Sequence, residues 1–497
     1  MSRDRDPDAQ AASGRAVGND SATAGGDSVG DGDRPANDPL VVVEDLERHY
    51  PIRSGLLRRR TGAVRAVDGV SFEIGRGEAL GLIGESGSGK STVAETLLRL
   101  DEPTGGTVRF DGTLVAGGDR DGNAAGDAGD AGADSEALSE LRRRTAMVFQ
   151  DPSSSLDPRM TVGESAAEPL SVRGVARGRR RERVATLFDR VGLSPDHRDR
   201  YPHELSGGQK RRVSIARALA LDPEFVVLDE PTAALDVSVQ AEILGLLEDL
   251  RTSFDLSMLF ISHDVSVIRE ACDRVAVMYA GEVVETGPTA AVLDDPAHPY
   301  TRALSAAVPT PDPRAGRPEN VLSGAVPDPA DPPDGCRFHT RCPEVIPPEG
   351  SGLTSEEYGA VIDFRVALAD GAIDPDGLRD PADGDDETAL ADALRAEYDL
   401  PDPDGEAGRA LDDAVARAAA GDAADAASLL RESFESVCVR ESPRRTPVGD
   451  AGDDRGYDDG RDGDNDDDER DRRVGDDGGD VTAATRPRTS ACHLRNG

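Results

Sequence analysis

The sequence predicts an α/β fold, a largely parallel sheet flanked by helices, and three observations carry that expectation. Short apolar runs recur between longer helical patterns: Ala79-Leu80-Gly81-Leu82-Ile83, Phe225-Val226-Val227-Leu228 and Ser257-Met258-Leu259-Phe260-Ile261. Runs of that kind suit strands buried on both faces, and their alternation with helices argues a parallel sheet. The first run ends in a glycine loop that opens a helical pattern near Lys90, through Val93, Leu97 and Leu98.

The other elements follow in order. Residues 1–38 are rich in Asp, Gly and Ala, lack the apolar core of a signal peptide, and are expected to be disordered. Leu40-Val41-Val42-Val43 reads as a strand, a variable loop containing Arg58-Arg59-Arg60 follows, and Val70-Ser71-Phe72-Glu73-Ile74 reads as another strand. Residues 115–134 are a Gly/Asp/Ala-rich loop insertion, helical patterning resumes at Ser135, and residues 164–221 read as mostly helical. Arg274 to Glu285 reads as a hairpin around Ala280-Gly281. Residues 39–295 are therefore expected to form one domain. A Pro-rich segment with two cysteines spans 296–345. Residues 346–436 are read as a helical insertion, with helical patterns at Ser355–Leu368, Thr388–Tyr398 and Ala407–Ala418. Residues 437–497 are expected to be an acidic, disordered tail with the last two cysteines, since 15 of the 31 residues from 450 to 480 are acidic.

Composition narrows the class. The 497 residues carry a net charge of −40, with 97 acidic against 57 basic residues. Only two of the basic residues are lysine, Lys90 and Lys210. An Asp-rich, Lys-poor chain resembles proteins of salt-loving microbes, whose internal salt screens charge over about 3 Å at 1 M. Codon bias in a GC-rich genome is the alternative, and far-UV circular dichroism on dilution of salt separates the two. No apolar run approaches the roughly 18 residues of a membrane helix, so the chain is read as cytosolic. Any channel it serves must come from a partner.

Gly84-Glu85-Ser86-Gly87-Ser88-Gly89-Lys90-Ser91, followed by Thr92, matches the phosphate-binding loop pattern between a strand and a helix. Its glycines let backbone N–H groups turn toward phosphates, and the helix start adds a positive dipole end. Lys90 suits the β- and γ-phosphates of ATP, and Ser91 suits Mg²⁺. A composition that nearly abolished lysine kept one here. Phe225-Val226-Val227-Leu228-Asp229-Glu230 ends a buried strand in two carboxylates, at the end where open α/β sheets bind ligands. Asp229 suits Mg²⁺, and Glu230 suits a general base for an attacking water. Alone, the two carboxylates are a weak signal.

Leu205-Ser206-Gly207-Gly208-Gln209 resembles the signature of the ABC ATPase family, flanked by Tyr201-Pro202-His203-Glu204 and Lys210-Arg211-Arg212. The resemblance implies an α/β P-loop ABC ATPase domain, with a RecA-like core, an antiparallel β subdomain and an α-helical subdomain. A C-terminal cysteine-containing extension with acidic insertions would follow it. It further implies roles residue by residue. Gln150, in Val148-Phe149-Gln150-Asp151-Pro152, would meet Mg²⁺ and the attacking water. His263, 33 residues after Glu230, looks like the switch histidine. Asp236, in Ala234-Leu235-Asp236, looks like the dimer-interface loop, and Tyr50 looks like the aromatic that stacks on adenine. In this family the signature acts in trans, so Leu205 to Gln209 would serve nucleotide held by a second ATPase subunit. Two permease subunits and, indirectly, an extracellular substrate-binding protein would complete the assembly at the cytoplasmic face of the membrane. The region from Gln150 to Met160 would receive a short helix of the permease.

Further segments look like the oligopeptide/dipeptide importer branch, in its second ATPase type, which implies a sister ATPase chain. They are His49-Tyr50-Pro51, Gln150-Asp151-Pro152-Ser153-Ser154-Ser155-Leu156-Asp157-Pro158-Arg159, His298-Pro299-Tyr300-Thr301-Arg302-Ala303-Leu304 and Gly335-Cys336-Arg337-Phe338-His339-Thr340-Arg341-Cys342-Pro343. The match departs at 346–436 and 443–485, which look inserted. The branch's tail resembles a four-cysteine pattern, met here by Cys336, Cys342, Cys438 and Cys492 once those insertions are removed. Four thiolates suit a [4Fe–4S] cluster or Zn²⁺, and a chain without metal is the third reading. Cys272 reads as a buried small residue. Arg142–Arg144, Arg179–Arg181 and Arg183 read as solvated helix faces, not as contacts to nucleic acid, and the intact Lys90, Glu230 and His263 argue against a dead ATPase. Nickel or sugar cargo in the same architecture stays open, because this subunit never touches cargo.

Overall fold

The computed structural model describes residues 38–55, 59–118, 135–152, 154–307, 322, 324–378, 387–448 and 487–495. It opens on a long antiparallel hairpin, β1 (Val41–Ser54) and β2 (Arg59–Ile74). Both strands outrun the apolar stretches that announced them, because backbone pairing carries the hairpin past its buried base into exposed polar residues. Arg59 and Arg60, expected in a loop, lie in β2, and Arg58 is outside the described residues. β3 (Ala79–Ile83) leads through the glycine loop into α1 (Lys90–Leu97). β4 (Gly105–Phe110) and β5 (Thr113–Gly118) complete a four-stranded antiparallel sheet of order β2-β1-β4-β5. The expected insertion at 115–134 therefore begins inside a strand, and residues 119–134 lie outside the described residues.

The chain continues through α2 (Ser135–Arg144), β6 (Thr145–Val148) and the helices α3 (Val162–Val172), α4 (Arg177–Arg190) and α5 (Gly207–Ala218). It returns to the sheet with β7 (Phe225–Asp229), α6 (Val237–Phe254), β8 (Ser257–Ser262), α7 (Val265–Ala271), and the hairpin β9 (Arg274–Tyr279) and β10 (Glu282–Pro288). β6, β7, β8, β3 and β9 pair in parallel, in that order, and β10 closes antiparallel on β9.

Alternate residues of the central strands feed two cores. Ile83, Leu228 and Phe260 face the helices α3, α5 and α6. Leu82, Val227 and Leu259 face α1 and the four-stranded sheet. Every residue of β3, β7 and β8 is buried, which explains why these strands read as unbroken apolar runs.

Beyond β10 lie α8 (Thr289–Asp294) and α9 (Pro299–Ala306). A helical unit follows: α10 (Ser355–Ala369), α11 (Pro375–Leu378), α12 (Glu387–Glu397), α13 (Gly405–Ala419) and α14 (Ala423–Ser433). It has its own core, built on Tyr358, Phe364, Leu411, Leu430 and Phe434. Three of its helices match the sequence expectation to within two residues, and α11 and α14 fall in the same span, read as helical without bounds of their own.

The expectation of disorder over 437–497 is corrected at both ends. α15 (Val437–Arg440), β11 (Thr446–Pro447) and β12 (Thr489–Ser490) are ordered, and β12 adds to the edge of the main sheet beside β10. Glu285, fully buried on β10, anchors this return: Arg488 donates to it at 2.9 and 3.1 Å. Two-residue strands are too short to leave a periodic signal, and residues 449–486 lie outside the described residues. No helix among the described residues is long and apolar enough to cross a membrane.

Candidate functional site

The glycine loop spans β3 and α1. Gly89 turns it into the helix at φ 103°, and a Cβ there would stand 2.0 Å from the Ala66 carbonyl oxygen, so only glycine fits. Gly84 and Ser88 are buried, while Ser86 and Gly87 face solvent at the tip. Lys90 is buried, and its Nζ donates to the carbonyl oxygens of Gly84 and Glu85 at 2.8 Å and to Ser88 Oγ at 3.3 Å. Burial lowers the Lys90 pKa, and the charges of Glu230, Asp229 and Glu85 oppose that shift. The ammonium is thus held by two loop carbonyls and a loop hydroxyl.

β7 delivers the two carboxylates. Ser91 Oγ donates to Asp229 Oδ1 at 3.4 Å, which sets both beside the loop. Burial raises the Asp229 pKa, opposed by the Ser91 hydroxyl. Glu230 sits at φ 44°, a strained backbone for a non-glycine residue, held by its N–H donating to Ile261 O at 2.9 Å. Both its carboxylate oxygens are engaged. Gln150 Nε2 donates to Oε2 at 2.7 Å, and His263 Nδ1 lies 2.9 Å from Oε1. Residues 80 and 33 positions away in sequence therefore converge on one carboxylate.

Tyr50 stands near the same helix start. Its phenol donates to Asp101 at 2.7 Å, the Arg48 guanidinium lies 4.4 Å from its ring centroid, and the Thr92 hydroxyl reaches it. Burial, with Asp101 adding, raises its pKa.

The signature residues lie apart from this cluster. Leu205 is buried, whereas Ser206 and Gly207 are exposed at the start of α5. Ser206 caps that helix: its Oγ accepts from Gln209 N–H at 3.3 Å, and Gln209 Oε1 accepts from Ser206 N–H at 3.0 Å. Asp236 is likewise exposed and caps α6, accepting from Val239 N–H at 3.0 Å and from the Ser238 hydroxyl at 2.6 Å. Those bonds lower its pKa.

Sequence reading passed over the role of Arg211. It is 1% exposed, and its guanidinium donates to the carbonyls of Phe149 and Gln150 at 2.6 Å and of Glu230 at 3.3 Å. The signature helix is thereby tied to the Gln150 segment and to the Glu230 backbone. The one available sign was its place two residues after Gln209, because a charged residue gives no hydropathic hint of burial.

The four tail cysteines share one small pocket with His298, Phe338, His339 and His493. Cys336 N–H donates to Cys438 O at 2.8 Å, which bridges the helical insertion. Burial pushes the Cys336 thiol up to about 12 and raises Cys342 and Cys438 as well. Among the described residues no group of three or more His, Cys, Asp or Glu side chains is assembled closely enough to hold a metal ion. The expected ligands thus converge on a pocket without forming a coordination shell, as neutral thiols pack like small apolar groups. Cys272 is buried against the main core.

Comparison with known proteins gives three family-model matches and a set of full-length relatives. The ABC transporter family model matches residues 67–233, the model of the oligopeptide/dipeptide transporter C-terminal region matches 284–347, and a domain of unknown function, DUF8228, matches 355–451. A putative peptide import ATP-binding protein of Brucella ovis is 46% identical over 62% of this chain and 90% of its own length. The oligopeptide transport ATP-binding protein AppF of Bacillus subtilis is 45% identical at the same coverage. The di/tripeptide transport ATP-binding protein DppF of Pseudomonas aeruginosa is 43% identical over 61% of this chain and 90% of its own. Because relatives 43–46% identical are matched over 90% of their length, the chain belongs to the ABC transporter ATP-binding family, in the branch that carries the oligopeptide/dipeptide transporter C-terminal region.

Proposed function

We propose that the chain hydrolyses ATP to drive peptide uptake through separate permease subunits, as the cytoplasmic, membrane-peripheral half of an ATPase pair. The single observation that carries this reading is the convergence of Gln150 and His263 on Glu230, beside Asp229, Ser91 and Lys90. Lys90 meets the β- and γ-phosphates, and Tyr50 offers its ring to the adenine. Ser91, Asp229 and Gln150 would hold Mg²⁺, which would neutralise phosphate charge when bound. Glu230 accepts a proton from the attacking water as its oxygen bonds the γ-phosphorus and the bond to the bridging oxygen of ADP breaks. Gln150 and His263 hold the carboxylate in place for that transfer.

The exposure of Ser206, Gly207 and Asp236 supports a partner role. A serine hydroxyl and helix-start N–H groups form an anion site, offered here to nucleotide held by a second ATPase chain. The burial of Arg211 under Gln150 and Glu230 gives one rigid link between that signature helix and the catalytic carboxylate. Co-purified with its permease in proteoliposomes, the chain should support ATP-dependent uptake of labelled di- to pentapeptides. Uptake of nickel or sugar in place of peptide would overturn the cargo assignment and leave the ATPase intact.

The tail cysteines are proposed as ligands of a [4Fe–4S] cluster, with Zn²⁺ as the alternative thiolate-binding ion. Their convergence from three separated segments supports this, and the donor chemistry fits either group. A bound cluster would take all four as thiolates and pin the segments together. An anaerobic preparation should be brown and contain iron and sulfide. A colourless, iron-free preparation overturns the cluster, and stoichiometric zinc in it would assign the alternative.

A further inference from the structure

Of the two arginines that lie between Cys336 and Cys342, Arg341 reaches back to the phosphate-binding loop and Arg337 to the turn beside it. Arg341 is 4% exposed at its side chain and grips Glu85 with both prongs, at 2.6 and 3.0 Å across 256 residues of sequence. The same guanidinium donates to Tyr279 Oη at 3.3 Å. Arg337 donates to Ala280 O and to Asp68. The neighbouring Gly281 N–H then donates to Ser88 O of the loop at 3.0 Å.

A third contact comes from α9, where Tyr300 Oη accepts the Glu85 N–H at 2.8 Å. Tyr300, Tyr279 and Phe338 pack with ring centroids 4.7 to 5.4 Å apart, so the grip rests on a buried aromatic wedge. Glu85 is therefore held from outside at its amide and its carboxylate, while its own carbonyl accepts from Lys90.

We infer that the cysteine-bearing tail clamps the phosphate-binding loop, with Arg341 as a positioning residue that neutralises Glu85 so that the loop accepts a polyanion. A carboxylate one residue into a phosphate cradle opposes the triphosphate unless a cation holds it. No nucleotide contact by Arg341 is required, and the inference rests on the ATP-binding role proposed above. Arg341 directly precedes Cys342, so the contact with Glu85 is made from the wall of the cysteine pocket.

Titration of the full chain with fluorescent ATP, together with steady-state ATPase kinetics, tests the clamp. Failure of the parent chain to bind ATP would count against the proposed function and not against the clamp. With a binding parent, Arg341→Met should raise the ATP dissociation constant and KM about tenfold, the scale of one charge repulsion near the site. Turnover at saturating ATP should change by less than about threefold, because the groups around Glu230 are untouched. Adding Glu85→Gln to Arg341→Met should recover most of the affinity, which a merely structural arginine would not allow. Should Arg341→Met fail to fold, Arg341→Lys keeps the charge without the fork and should cost about two- to fivefold, recovered by the same second change. Parental affinity in the arginine variant, or a loss that Glu85→Gln does not recover, overturns the inference.

Discussion

Glu230→Gln is expected to lower ATP turnover by about a hundredfold or more while leaving nucleotide binding in place. The amide keeps the shape of the carboxylate and can still accept from Gln150, so the contacts around β7 survive. What it loses is the capacity to take a proton from water. Phosphate release at saturating ATP, read beside nucleotide titration, separates the two effects. Hydrolysis at the parental rate would assign the base elsewhere. A fall in affinity equal to the fall in turnover would show that the substitution had disturbed the loop instead. The backbone at Glu230 is strained in both forms, because its N–H bond to Ile261 O does not depend on the side chain.

Lys90→Met should weaken ATP binding by about ten- to hundredfold, the scale of losing a charge-assisted contact worth roughly 1.5–3 kcal/mol. Methionine keeps much of the buried stem, so the fold is expected to persist. The Lys90 ammonium is held by Gly84 O, Glu85 O and Ser88 Oγ. Binding is expected to pair the ammonium with phosphate oxygens, and the surplus from pairing opposite charges in a buried site is what the substitution should remove. Fluorescent-nucleotide titration measures the loss, and circular dichroism checks the fold. Unchanged affinity in a folded variant would remove Lys90 from the site.

These two substitutions divide the site by function. On the proposed function, Lys90 is expected to govern whether ATP is held and Glu230 whether it is cleaved. The Arg341 substitution acts on the first without touching the second, which makes the ratio of KM to turnover effects the informative quantity for all three.

The phosphate-binding loop was legible because its chemistry is local: eight consecutive residues supply the turn, the amides and the ammonium. The strands β3, β7 and β8 were legible because burial on both faces leaves no polar interruption. Gln150 and His263 were singled out only through family resemblance, since neither residue alone differs from a surface polar side chain, and their meeting at Glu230 left no sign in the sequence. Arg211 escaped notice because a guanidinium buried under carbonyl oxygens looks, in sequence, like a solvated helix face. The order of the tail escaped for a related reason. β12 is two residues long, and its stability comes from pairing with β10 and from Arg488 meeting a buried Glu285.

By itself the sequence determined the fold class, the nucleotide loop, the two carboxylates and the signature, all of which depend on contiguous residues or on periodic burial. Only the tertiary structure decided how the pieces act on one another. It set Glu230 between Gln150 and His263, drew four cysteines from across two insertions to one pocket, and brought Arg341 onto Glu85. Contacts between distant segments leave no pattern along the chain, because each partner satisfies its charge or its apolar surface only after the fold has formed.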